Sequence, residues 1–117
     1  MSKLDRPEIP INLSATTPDK WVVVKIKPEN EPDFHKVFAS WYDEAWKINS
    51  GIKSVKQDED YYYFYGYSGS CYKCHKEGYG IASSYSRMVY EKLENSVPKG
   101  TILLLKDKLD WEVELNN

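Results

Sequence analysis

The run Cys71-Tyr72-Lys73-Cys74-His75 has the spacing that attaches a c-type haem, with two thiols three residues apart and an imidazole next door. Such chemistry needs both sulfurs to converge on one ligand, which a helix start allows. Here the run lies in a period-2 segment, and in a strand residues three apart point to opposite faces. Cys71 and Cys74 are therefore expected to diverge. The same divergence weakens a zinc site built from Cys71, Cys74, His75 and His35, because a lone CxxC lacks the second ligand pair. A redox CxxC would want a helix N-terminus to depress a thiol. The expectation is that the cysteines are small buried hydrophobes, with no cofactor and no metal.

A second chemistry comes from tyrosine. Eight of the ten tyrosines lie between Tyr61 and Tyr85. In an extended Tyr61–Tyr67, the rings of Tyr61, Tyr63, Tyr65 and Tyr67 share one face, and Tyr62 and Phe64 take the other. The hairpin register decides their company. A two-residue loop, Ser68-Gly69, pairs Tyr65 with Tyr72 and gives a tyrosine core. A three-residue loop, Ser68-Gly69-Ser70, pairs Tyr65 with Lys73 and Tyr63 with His75; Tyr62, Phe64, Tyr72 and Cys74 then face the core. The second is favoured, since four phenol hydroxyls in one core would each need a partner. A phenol face beside Lys73, His75 and Lys76 would suit stacking of a planar ligand, although tyrosine enrichment is also routine in strands.

Downstream, Gly78-Tyr79-Gly80 leads to Ser83 and Ser84 at a helix start, with Arg87 one turn in, an arrangement that offers N–H donors to an anion. The glycine spacing fits neither a P-loop nor a dinucleotide fingerprint. Taken together, Tyr63, Tyr65 and Tyr67 for a base, Lys73, His75 and Arg87 for charge, and Ser83 and Ser84 for a phosphate describe a nucleotide-type site. Catalytic residues are not expected. His75 has no visible nucleophile or acid partner, and His35 is expected on the solvated side of a helix. Asp58-Glu59-Asp60 lacks calcium-loop spacing.

The elements that must position these residues follow from pattern. Ile9, Ile11 and Leu13 alternate among prolines, so residues 1–20 read as an extended arm or edge strand. Trp21–Lys27 is a β-branched strand. Phe34, Val37, Phe38, Trp41, Ala45 and Ile48 fall at helical spacing, with Pro32 in a first turn and Gly51 as a stop, which predicts a helix, although Val37–Tyr42 would also tolerate a strand. Ile52–Gln57, Tyr61–Tyr67 and Ser70–Lys76 read as strands. A helix capped at Ser83 or Ser84 runs to about Asn95 with Tyr85, Met88, Val89 and Leu93 inward. Thr101–Leu105 reads as a strand. Leu109, Trp111, Val113 and Leu115 alternate with acids, which predicts a last strand with an acidic outer face. The sum is an α+β domain over 21–117, mainly antiparallel sheet with two helices.

The 117 residues suit one hydrophobic core, with 41% hydrophobic and 29% charged residues. A net charge of −2 gives no bulk attraction to duplex nucleic acid. No run approaches a membrane span, Met1–Pro7 carries no apolar signal-like stretch, and two cysteines make no disulfide scaffold, so a cytoplasmic setting is expected.

The segments Trp46–Ile52 and Tyr61–Lys76, with NSGI and YGYSGS-CYKCHK as their cores, resemble a pattern in small accessory proteins of tailed bacteriophages. The resemblance covers about the middle third and implies no catalytic or ligand residues. It implies a class of proteins that act by binding in the host cytoplasm, either sequestering a small phosphorylated signal such as a nucleotide or blocking a host protein. The acidic 110–114 segment or the tyrosine face would serve the second role, and a homo-oligomer is compatible with either.

Overall fold

The computed structural model describes residues 15–116. Ten elements follow one another: β1 (Ala15–Thr16), β2 (Lys20–Ile26), β3 (Phe34–Ser40), β4 (Trp46–Ile48), β5 (Ile52–Gln57), β6 (Tyr61–Gly66), β7 (Cys71–His75), α1 (Ser84–Asn95), β8 (Ile102–Leu104) and α2 (Trp111–Leu115). The first sheet has the order β4-β3-β2-β8 and the second β1-β7-β6-β5. Every pairing between these strands is antiparallel except β1 with β7, and an isolated parallel bridge joins Trp21 to Tyr79. The domain is α+β, as its pattern predicts. The arm expected over 1–20 lies mostly outside the described residues, and its last part supplies β1.

The two sheets face each other. Trp21, Val23, Val37 and Ala39 of the first pack against Ile52, Val55, Phe64, Tyr72 and Cys74 of the second, and Trp111 closes the layer. The opposite face of the first sheet carries Val22, Val24 and Phe38, which α1 covers with Tyr90, Val89 and Leu93. Strands β2 and β3 are thus apolar on both faces, which is why Trp21–Val24 reads as a continuous run.

That double burial also explains the largest departure from expectation. The helix expected over 34–48 is instead β3, a turn and β4. Val37, Phe38, Ala39 and Ser40 are all buried, two on each face. A strand without alternation imitates helical spacing. The turn is built by Asp43, whose Oδ1 accepts the Ala45 N–H at 3.1 Å, and by Glu44 at φ 77°. His35 is therefore not solvated. It is buried on the inner face opposite Lys25, and its Nε2 lies 3.0 Å from Glu114 Oε2.

Glu114 belongs to α2, where a strand with an acidic face was expected. Asp110 caps this short helix, its side chain accepting the Val113 N–H, and Glu112 and Glu114 complement its dipole. Trp111 is buried among the rings of Trp21, Tyr62, Phe64 and Tyr79. Tertiary burial of that one indole overrides the alternation. Helix α1 forms where the pattern places it, capped by Ser83, but its buried residues are Ser86 and Tyr90; Tyr85 and Met88 are 45% exposed.

Candidate functional site

The hairpin β6–β7 resolves the register. Tyr61 pairs with His75, Tyr62 with Cys74, Tyr63 with Lys73, Phe64 with Tyr72 and Tyr65 with Cys71. The loop is Tyr67-Ser68-Gly69, closed by a 2.8 Å bond from Gly66 N–H to the Ser70 carbonyl. Neither expected register is met, since the cross-strand partners are displaced by two residues from the favoured one. A two-residue shift preserves the faces. Tyr62, Phe64, Tyr72 and Cys74 do point to the core, and Tyr61, Tyr63, Tyr65, Lys73 and His75 point outward together.

On this outer face the polar groups interlock. Tyr63 is buried, and its hydroxyl donates to Asp58 Oδ2 at 2.7 Å. Asp58 Oδ1 accepts the N–H groups of Tyr61 and Asp60. The Tyr63 hydroxyl, with those two amides and the nearby Lys73 charge, holds the Asp58 carboxyl below its ordinary value. Lys73 Nζ sits 4.4 Å from the centroid of the Tyr61 ring, and the His75 imidazole meets that ring edge-on at 5.1 Å. His75 Nδ1 accepts the Glu77 N–H at 3.0 Å, which leaves the proton of the neutral ring on Nε2. Across β6, Lys56 of β5 pairs with Tyr63.

The expected stacking residues fare differently. Tyr63 is too deeply packed to present its ring, and Tyr65 is half-buried beside Cys71. Tyr67 lies in the turn, 66% exposed, against Gly51. Gly51 has φ 144° and a Cβ there would stand 3.2 Å from the Tyr67 ring, so this contact needs glycine. Lys76 turns to the other side, over the Tyr62 ring. The ring that does lie under the cations is Tyr61. Its shared parity with Tyr63 and its place opposite His75 were the signal for it, readable only with the register in hand.

Ser83, Ser84 and Arg87 stand elsewhere. Ser83 Oγ is occupied, accepting the Ser86 N–H at 3.0 Å and donating to Ser86 Oγ. Ser84 and Arg87 are exposed along a shallow depression of about 390 Å³ that they share with Met88 and Glu91. Since α1 covers the far side of the first sheet, this depression and the tyrosine face lie on opposite surfaces, two sheets apart. One small ligand cannot touch both.

The cysteines diverge as the alternation requires. Cys74 faces the inter-sheet core and Cys71 the outward side beside Tyr65, and both are free thiols with no exposure. Burial raises the Cys71 thiol to about 11 and that of Cys74 well above its ordinary value. Among the described residues no group of three His, Cys, Asp or Glu side chains is placed to hold a metal ion, and no helix is long and apolar enough to cross a membrane. No family model, curated protein or solved structure matches the chain.

Proposed function

We propose that the chain is a non-enzymatic binding protein that holds a small planar phosphorylated ligand, of the nucleotide type, on the outer face of β6 and β7. The observation that carries this reading is Lys73 and His75 converging on the half-buried ring of Tyr61. A planar ring can lie on Tyr61 once Lys73 swings aside, and a phosphate can then take Lys73 Nζ and His75 Nε2 as donors. The exchange favours the ligand: an exposed cation–π contact is worth about 0.5–1 kcal/mol, and a charge-assisted hydrogen bond about 1.5–3 kcal/mol. Lys56 adds positive charge on the same face. Tyr63 and Asp58 stiffen the floor. Ser83, Ser84 and Arg87 are not part of this site. The phage resemblance supplies the setting, a small protein that lowers a signal nucleotide in the host cytoplasm.

Thermal melting in a panel of cyclic and linear nucleotides tests this. A ligand that binds only the folded state at a hundred times its Kd stabilises it by about 2.7 kcal/mol. The expected result is a raised Tm with at least one nucleotide, lost in Lys73→Ala and reduced in His75→Ala. No shift across the panel, or the same shift in Lys73→Ala, overturns the reading.

A further inference from the structure

Strand β4 ends the first sheet, and among the described residues no strand lies outside it. Its register with β3 pairs Phe38 with Ile48, Ala39 with Lys47 and Ser40 with Trp46. The flanking bonds, Trp41 N–H to the Ala45 carbonyl and Asn49 N–H to the Val37 carbonyl, fix which pairs exchange hydrogen bonds. By alternation the amide and carbonyl of Lys47 face β3, and those of Trp46 and Ile48 face outward. Two N–H and two C=O groups are thus presented in extended geometry.

The side chains beside that ladder are apolar and held in place. Trp46 and Ile48 are 36% and 37% exposed, on the same side of the sheet as Phe38. The Trp46 ring stacks on Phe38 at 5.8 Å and 16°, so this exposed indole is fixed from beneath. Lys47 also lines an open depression of about 410 Å³, together with Thr16, Trp41, Asp43, Ala45 and Trp46. β5, one edge of the second sheet, differs: its register with β6 is interrupted between Ile52 and Ser54, which breaks the ladder an incoming strand would continue. On β4 the one charge is Lys47.

We infer that β4 is a docking edge for an extended segment of another protein, which adds an antiparallel strand to the first sheet with an acidic side chain opposite Lys47 and apolar ones opposite Trp46 and Ile48. The free ladder defines the occupant as a strand. Lys47 defines its centre. Two-fold pairing of β4 with its own copy in the register that overlaps all three residues would set Lys47 directly against Lys47, which is unfavourable, whereas a carboxylate there gains a cross-strand ion pair. Asp43, at the rim of the same depression, accepts the Ala45 N–H through Oδ1 and forms no ion pair with Lys47. This edge and the tyrosine face are built on different sheets, so the docking edge does not depend on the ligand reading.

The test uses an acetylated, amidated peptide, Thr-Val-Glu-Val-Thr, and a second with Lys for Glu, each titrated to about 1 mM while the amide spectrum of the whole protein is followed by NMR. The expected result is movement of the Trp46 and Ile48 amides and of the Trp46 indole, with the Glu peptide binding about threefold to tenfold tighter than the Lys peptide. Ile48→Pro removes an outward donor and leaves the bonds to β3 in place, so it should abolish the response with the fold retained. Lys47→Glu should reverse the peptide preference, which keeps the inference testable if the proline variant fails to fold. No movement at β4 with either peptide, or movement without charge preference, overturns it. So does a dimer in sedimentation that Ile48→Pro dissociates, because that assigns the edge to a second copy.

Discussion

At the scale of single residues, the sulfur atoms separate what a motif suggests from what its geometry permits. Cys71 and Cys74 leave β7 on opposite sides, so no ion or porphyrin edge can reach both while the strand is paired with β6. Each is also sealed from solvent. The thiolate is the reactive form, and burial lifts the Cys71 thiol to about 11 and Cys74 well above its usual value, so both stay protonated near neutrality. The folded protein is therefore expected to leave a disulfide reagent such as DTNB unreacted at pH 8, with two thiols titrating once guanidinium is added. Rapid titration of either thiol in the native state would refute the burial argument. The divergence was legible in the sequence because it needs only the period of a strand. The completeness of the burial was not, since it depends on what lies across from each sulfur.

Among the elements, β3 and β4 show why local pattern fails in a twice-covered sheet. Phe34, Val37, Phe38 and Trp41 satisfy helical spacing, yet Val37 and Ala39 serve the inter-sheet core while Phe38 serves α1. Only the existence of a layer on each side makes that sequence a strand, and no window of a dozen residues contains that information. The short α2 is the converse case. Leu109, Trp111, Val113 and Leu115 alternate as a strand would, yet the Asp110 cap and the burial of the Trp111 indole make the segment helical. Where β4 ends, Asn49 does the joining. Its backbone N–H donates to the Val37 carbonyl at 3.2 Å, and its side-chain Oδ1 accepts the Val37 N–H at 2.9 Å in place of its own carbonyl. The backbone is thereby released to cross to the second sheet at Gly51. Asn49→Ala would leave a buried N–H on Val37 unpaired, a loss of about 1–3 kcal/mol. Urea unfolding measures it, and native-state hydrogen exchange should show the Val37 amide opening faster than its neighbours in β3. An unchanged Val37 amide would mean that another group satisfies it.

For the molecule as a whole, the separation of the tyrosine face from the helix start is a property of layer count. The outward parity of the tyrosine strand and the helix start at Ser83 were each legible in the sequence; that two sheets intervene between them was not. What ties the layers together is an aromatic column centred on Trp21, which touches Tyr62, Phe64, Tyr79 and Trp111. Within it, the Tyr79 hydroxyl accepts the Val23 N–H at 3.2 Å and donates to the Leu105 carbonyl at 2.6 Å, joining β2 to the segment that follows β8. Burial pushes this phenol up to about 12. The consequence for pH has a definite sign. An unfolded tyrosine ionises near 10, whereas the folded protein keeps Tyr79 protonated until about 12, so its contribution is complete below pH 10 and is lost as the pH climbs between the two values. Tyr90 is raised as well, by burial and by Glu94, and gives a second alkaline loss. Urea midpoints at pH 7, 9, 10 and 11 should therefore hold steady and then fall. Tyr79→Phe should begin lower at pH 7, having lost the bond to Leu105, and should fall less steeply above pH 10, with the remaining slope due to Tyr90 and the other buried phenols. An alkaline slope as steep in Tyr79→Phe as in the parent would show that Tyr79 does not couple the layers through its proton.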